Sequence, residues 1–222
     1  MSSYNSFFHV YNRGVKKMPL FLRVEDYQRF AVKLRDYCKK QNLSILTYCI
    51  MPNHYHLELG LYGNNPVVLS KMMHGLATSY GMYFNKLYKG SGHVFQGKYK
   101  IRRIINDSSL LHVSKYIHQN PAEHTSTRKW GTSVAYMRKY IWSSYREYLG
   151  FSSPQIASKN ILLDLFGGNL SAFKRYTEEK LRKWELSEIK EDPLKKFASS
   201  ASNFRAQGWT LRSARQNARI RT

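Results

Sequence analysis

Two short stretches of the sequence carry side chains that could do chemistry together. The first is His54-Tyr55-His56. Alternate residues of an extended strand share a face, so His54, His56 and Glu58 point one way and Tyr55, Leu57 and Leu59 the other. The apolar-sided trio suits a core and the polar trio suits a site. Two imidazoles on one face can hold a divalent cation between them, with Glu58 orienting or supplementing them from the next position along. The same spacing also describes two surface histidines, and by itself it does not choose between these readings.

The second stretch is Tyr116-Ile117-His118-Gln119-Asn120-Pro121, at the end of a helical segment. Tyr116 and Asn120 are one turn apart and share a face, with His112 one turn earlier. Asn120 precedes a proline, which disfavours helical backbone there and would let the carboxamide turn towards a cation. Two imidazoles and one amide oxygen would leave positions open for phosphate oxygens, as a catalytic metal requires. A phenol such as Tyr116 can attack a phosphodiester and conserve its bond energy as a phosphotyrosine. With an ordinary pKa of about 10, that phenol would gain from a neighbouring cation. The plainer alternatives are that Asn120 caps the helix and Tyr116 is core. Lys115 adjoins Tyr116 but faces elsewhere, so no role is assigned to it.

The elements that must position these residues are legible in outline. Phe7 to Arg13, closed by Gly14, has the composition of a strand. Glu25 and Asp26 open a helix whose apolar stripe is Tyr27, Phe30, Ala31, Leu34, Tyr37 and Cys38. Leu43 to Met51 is a near-continuous apolar run, as in a strand buried on both faces, and His54 to Leu61 alternates beyond a Pro52-Asn53 turn. A second helix is predicted over 66–87, a basic strand over 94–105, and a third helix from Ser108 to a stop at Pro121. Strand, helix, strand, strand, helix, strand is the ferredoxin-like order, an α+β fold with an antiparallel sheet. Further helices are expected near 154–166 and 171–184. The expected division is a catalytic domain over 1–150 and a basic, partly helical extension over 151–222.

Charge indicates the partner. The chain of 222 residues has a formal net charge of +22 and a pI near 10.0, an excess that a polyanion would neutralise. Aromatic residues make up 14%, and rings interleaved with cations suit unpaired bases, although most rings must serve the core. Lys98, Lys100 and Arg102 fall on one face of the predicted basic strand, with Arg103 beside them, and are expected to contact a nucleic-acid backbone. Arg13, at a strand end, either grips a phosphate or is a solvated turn residue. The tail from Lys195 contains Arg212, Arg215 and five other cations without an acid, and is expected to contact DNA and to be partly disordered. Cys38 and Cys49 form no thiolate metal motif. No signal sequence or membrane-spanning run is visible, so the expected location is the cytoplasm, in association with the nucleoid.

Taken together, these stretches resemble the REP-associated tyrosine transposases, within the HUH single-tyrosine superfamily that includes small insertion-sequence transposases. The resemblance lies in His9-Val10-Tyr11-Asn12-Arg13-Gly14, Met51-Pro52-Asn53-His54-Tyr55-His56-Leu57, Gly92-His93-Val94-Phe95-Gln96-Gly97-Lys98-Tyr99 and Tyr116-Ile117-His118-Gln119-Asn120-Pro121, with Trp142-Ser143-Ser144-Tyr145 as a further segment. It spans residues 6 to 150. It implies a ferredoxin-like fold, His54 and His56 as metal ligands with Asn120 as the third, Tyr116 as nucleophile, and Mg²⁺ or Mn²⁺ as cofactor. It also implies single-stranded DNA beside a hairpin as substrate, cleaved to a free 3′ hydroxyl and a 5′ phosphotyrosine. One departure is Tyr55, where the family has a bulky apolar residue; strand alternation turns it away from the histidines. A hairpin-binding regulator without turnover, a nuclease that uses water, an RNA-binding role and a dimeric mobile-element transposase are the competing readings. Monomer and homodimer both remain open.

Overall fold

A computed structural model describes residues 4–63, 65–123, 130–151 and 155–190. The strands are β1 (Tyr4–Arg13), β2 (Leu43–Met51), β3 (His54–Tyr62) and β4 (Lys100–Ile104). They form one antiparallel sheet in the order β2-β3-β1-β4. Helices α1 (Val24–Lys40) and α2 (Val67–Tyr88) complete the βαββαβ unit. This is the expected ferredoxin-like α+β fold.

Strand alternation sends two sets of side chains to opposite sides. Val10, Tyr55, Leu57, Leu59 and Ile50 enter a core with Phe30, Leu34, Met72, Leu76 and Tyr80 of α1 and α2. Asp26 ties the two helices together. Its carboxylate accepts the Arg23 and Leu22 N–H groups at the start of α1 and the Tyr83 and Tyr88 hydroxyls near the end of α2.

The other sheet face is also covered. Helix α3 (Asp107–Glu123) lies across it, followed by α4 (Trp130–Lys139), α5 (Tyr145–Tyr148), α6 (Asn160–Asp164), α7 (Leu170–Glu178) and α8 (Lys183–Lys190). Cys49, Met51 and Ile104 of the sheet, Leu110, Val113 and Ile117 of α3, and Leu162, Phe173, Leu181 and Ile189 share one second core. Residues 155–190 are therefore a layer of the same folded body. The cations beyond Lys190, including Arg212 and Arg215, lie outside the described residues.

Three expectations need correction. The basic strand is shorter than predicted: its ladder with β1 covers Lys100–Ile104, and Lys98 sits in the approach to it. Phe95 turns into the first core and Gly97 takes a left-handed φ of +71°, which breaks the extended run. Helix α3 runs through Pro121 to Glu123 rather than stopping. Lateral bonds hold its last turns: Gln119 Nε2 donates to the carbonyls of Thr177 (2.7 Å) and Glu179 (2.6 Å), and Leu181 N–H donates to Gln119 Oε1. Helices α4 and α5 were not foreseen. Between them, residues 142–144 run along the outer edge of β2, with Ile50 N–H donating to Trp142 O and Ser144 N–H to Tyr48 O. An otherwise open sheet edge is thereby paired.

The tyrosine helix is fixed from behind by a buried ion pair. Lys115, 1% exposed, places Nζ 3.2 Å from Glu185 Oε1 of α8 and over the Tyr176 ring. Removing one member of such a pair leaves the other charge buried. Glu185→Ala is expected to destabilise the protein by about 3–5 kcal/mol in chemical denaturation. The double variant Lys115→Met, Glu185→Leu should recover most of that loss. A Glu185→Ala variant as stable as the parent would show that the pair does not hold the helix.

Candidate metal centre and nucleophile

The β1–β3 register brings the site together. His54 stands opposite Arg13, His56 opposite Tyr11 and Glu58 opposite His9, all on the face beneath α3. Gly14, just after β1, is required by a close approach. A Cβ there would lie 2.1 Å from Met18 O, in the turn that folds back while Gly14 N–H donates to Asn53 O.

His54, His56, Tyr116 and Asn120 converge. Asn120 Oδ1 is 3.2 Å from His54 Nε2, and the two histidine rings meet edge-on with centroids 5.3 Å apart. The Tyr116 ring meets His56 edge-on, also at 5.3 Å. Asn120 Nδ2 donates to Tyr116 O at 3.0 Å, which fixes the direction of its carbonyl oxygen.

Both ring nitrogens of His54 meet carboxamide oxygens, Nδ1 at 2.7 Å from Asn53 Oδ1 and Nε2 at 3.2 Å from Asn120 Oδ1. A neutral imidazole has one donor, so one of these contacts sets two acceptors face to face unless a proton or a metal cation lies between them. Neighbouring ligands of an octahedral ion, each about 2.1 Å from it, stand about 3 Å apart. The separation therefore fits a shared cation. Among the described residues no three His, Cys, Asp or Glu side chains cluster as a metal site. A third donor beside His54 and His56 would be the Asn120 amide oxygen.

Tyr116 is half-buried, and burial, with the Glu123 charge adding to it, pushes the phenol up to about 12. It is neutral at pH 7 unless a cation draws it down. Tyr55, by contrast, is 1% exposed in the first core, packed against Phe30 and Phe95.

The remaining candidates separate by position. Glu58 is buried on the site face, holds Thr47 Oγ1 at 2.9 Å, and is pushed up to about 8 by burial. His112 is turned away from the histidine pair, with Nε2 3.9 Å from Glu185 and its ring against Trp184. Arg102 reaches the Ile189 carbonyl and so ties β4 to α8. Arg103 is exposed one residue further on, on the opposite face of β4. Arg13 Nε donates to Gln96 Oε1 at 2.5 Å.

Arg13, Lys98 and Lys100 line a pocket of about 440 Å³ that also takes in His54 and His56. Lys17, Tyr11, Asn12, Asn53 and Gln96 complete it, so four cations and no acid surround it. An anion is drawn towards such a wall.

Sequence reasoning missed three contributors. Asn53 orients His54. Gln96 holds Arg13. His9, 3% exposed, places Nε2 3.0 Å from His56 Nδ1. Burial, reinforced by the Arg102 charge, pushes His9 down to about 3, so its ring is neutral. The available signal was β1 itself, whose alternation puts His9, Tyr11 and Arg13 on one face.

The geometry can be set beside known proteins. No match was found among curated proteins. Among solved structures the chain is similar to a REP-associated tyrosine transposase bound to a REP hairpin, at a TM-score of 0.51 and 16% identity over 72% of this chain and 93% of that one. A second structure, from Deinococcus radiodurans R1 and provisionally described as a transposase, aligns at a TM-score of 0.40 and 16% identity, over 53% of this chain and 92% of that one. The first likeness is one of fold. The profile of the IS200-like transposases matches residues 2–120, more than half of the chain and every residue of the converging site, and the chain therefore belongs to the IS200-like transposase family.

Proposed function

We propose that this transposase cuts and rejoins single-stranded DNA beside a hairpin through a covalent bond to Tyr116. The observation that carries this reading is the convergence of Tyr116 and Asn120, one helical turn apart, on the His54–His56 pair of β3. His54, His56 and Asn120 would hold Mg²⁺ or Mn²⁺, and the bound ion would polarise the scissile phosphate and offset the charge that develops on it. The Tyr116 oxygen forms a bond to phosphorus as the bond from phosphorus to the 3′ oxygen breaks. The 3′ oxygen takes up a proton, leaving a free 3′ hydroxyl and a 5′ phosphotyrosine. Attack by another 3′ hydroxyl reverses the step and joins strands. The cationic wall formed by Arg13, Lys17, Lys98 and Lys100 would hold the flanking backbone. A hairpin substrate agrees with what the solved relative of the same fold holds. Such an activity belongs in the cytoplasm with chromosomal DNA; among the described residues no helix is long and apolar enough to cross a membrane.

The direct test uses 5′- and 3′-labelled hairpin oligonucleotides with single-stranded flanks, Mn²⁺ and a denaturing gel. A labelled species at protein mass is expected from the parent, lost on adding EDTA and absent from Tyr116→Phe and His54→Ala. Cleavage that survives in Tyr116→Phe with no adduct would make water the nucleophile. Hairpin binding with neither product would leave a binding module.

Tyr55 offers an internal control, since its ring lies in the opposite core. Tyr55→Phe should form adduct at the parent rate within about threefold, or about 0.6 kcal/mol in barrier. An adduct that disappears with Tyr55 and persists without Tyr116 would reverse the assignment.

The elevated phenol also fixes the sign of a pH dependence. A neutral phenol ionises as pH rises towards its pKa, so single-turnover adduct formation at saturating Mn²⁺ should climb from pH 7.5 upwards, by up to ~10-fold per unit. The climb should flatten earlier to the extent that the cation lowers the phenol's pKa. A rate that falls across this range would rule out the phenolate as the attacking species.

A further inference from the structure

His9 has no part in the reading above, yet it makes a close polar contact to His56. Its Nε2 lies 3.0 Å from His56 Nδ1, and with ring centroids 5.2 Å apart and planes 25° apart the two imidazoles meet nitrogen to nitrogen nearly in plane. Tyr11 stacks on the same His56 ring at 5.3 Å, so the imidazole is braced by two neighbours of β1. The other His9 nitrogen, Nδ1, is buried without a hydrogen-bond partner. Directly opposite His9 in the β1–β3 register is Glu58, whose Oε1 is also buried without a partner while Thr47 occupies Oε2.

These contacts have one arrangement in which every proton runs the same way. A histidine that offers one nitrogen to a cation carries its proton on the other, and that N–H needs an acceptor to fix tautomer and ring angle. His9 Nε2 is placed to accept it. His9 then carries its own proton on Nδ1, and the carboxyl of Glu58, its partner in register, has its Oε1 unpaired on the same face as a candidate acceptor for that N–H. A carboxylate in the place of His9 would also accept from His56, but it would put a negative charge beside the position an anionic DNA phosphate must approach. An imidazole makes the same bond without that repulsion.

We propose that His9 is the positioning residue for His56, accepting its Nδ1–H so that Nε2 is presented to the cation, with Glu58 supporting His9 from the facing strand. The inference rests on the reading of His54, His56 and Asn120 as metal ligands. It assigns His9 a role in cation affinity and not in attack on phosphorus.

The test is Mn²⁺ binding to the full chain without DNA, followed by electron paramagnetic resonance of the unbound ion, with thermal unfolding recorded in parallel. His9→Leu is expected to remain folded and to bind Mn²⁺ ~10–100-fold more weakly, the usual effect of removing such a support. His9→Gln should restore most of the affinity, because its amide oxygen is as many bonds from Cα as Nε2 is and accepts the same hydrogen bond. In single-turnover cleavage the half-saturating Mn²⁺ concentration should rise for His9→Leu, while the rate at saturation stays within a few-fold of the parent. His9→Leu binding Mn²⁺ like the parent while His54→Ala does not would overturn the inference alone. So would a folded His9→Gln no better than His9→Leu. A His54→Ala variant that binds Mn²⁺ like the parent would remove the ligand assignment, and the role of His9 with it.

Discussion

The antiparallel pairing of β1 with β3 sets the chemistry of this molecule. In a strand the side-chain period is two, so a slip of one residue would carry His54, His56 and Glu58 into the helical core and bring Tyr55 and Leu57 out beneath α3. The two cores act together against such a slip. Tyr55, Leu57 and Leu59 are each 1% exposed or less among α1 and α2, and a polar trio in their place would leave charged or hydrogen-bonding groups unsatisfied. The same register sets His9 beside His56 and Arg13 beside His54. The metal candidates, His9 and the Arg13 end of the cationic wall are therefore consequences of one pairing, while Lys100 is placed by the β1–β4 ladder.

The second requirement is that α3 lie across this face at a fixed height. Apolar contact through Leu110, Val113 and Ile117 gives it a surface to rest on, but apolar packing is non-directional and tolerates sliding. Directional bonds remove that freedom. Gln119 is spanned by the backbone of 177–181, Lys115 is paired with Glu185, and His118 Nε2 lies 2.9 Å from Ser144 Oγ, itself bonded to β2. Residues on the far side of α3 thus determine where Tyr116 and Asn120 meet the histidines. The polar groups buried there are many for one helix, and the pairing of Lys115, Gln119 and His118 Nε2 makes the helix position specific.

Much of this was readable beforehand. The alternation of His54 to Leu61 correctly divided ligand candidates from core, because period-two patterning is local and strong. The i, i+4 relation of Tyr116 and Asn120 held for the same reason. What the sequence concealed was non-local. The long apparent strand over 94–105 breaks at Gly97, where a left-handed φ redirects the chain and Phe95 fills a place in the first core. Pro121 does not end α3 because Gln119 and the facing chain hold the turn that the missing N–H weakens. Arg102 looked like one of a row of backbone contacts, but it bonds to the Ile189 carbonyl, a partner 87 positions away that no pattern in the neighbourhood could reveal. His9 was visible as part of a motif, yet its contact with His56 depends on which diagonal across the strand pair the ring adopts.

These constraints bear on how the site is assembled. Tyrosine and histidines come from the same chain here, and the helix bearing the tyrosine is bonded through Gln119 and Lys115 to later segments of that chain. Exchanging the helix with a second copy would require Lys115 to leave Glu185 and Gln119 to release three backbone partners, exposing a buried charge and several polar groups before any were replaced. On the proposed reading, a site held this way would form its covalent bond to DNA without having to move the helix that carries it. With a strand attached to Tyr116, the helix could carry it off only by breaking those bonds, so the proposed 5′ phosphotyrosine would stay beside His54, His56 and Asn120. If the reaction includes rejoining, as proposed, the rigidity of α3 would serve it by holding the attached 5′ end at the site where the reverse step takes place.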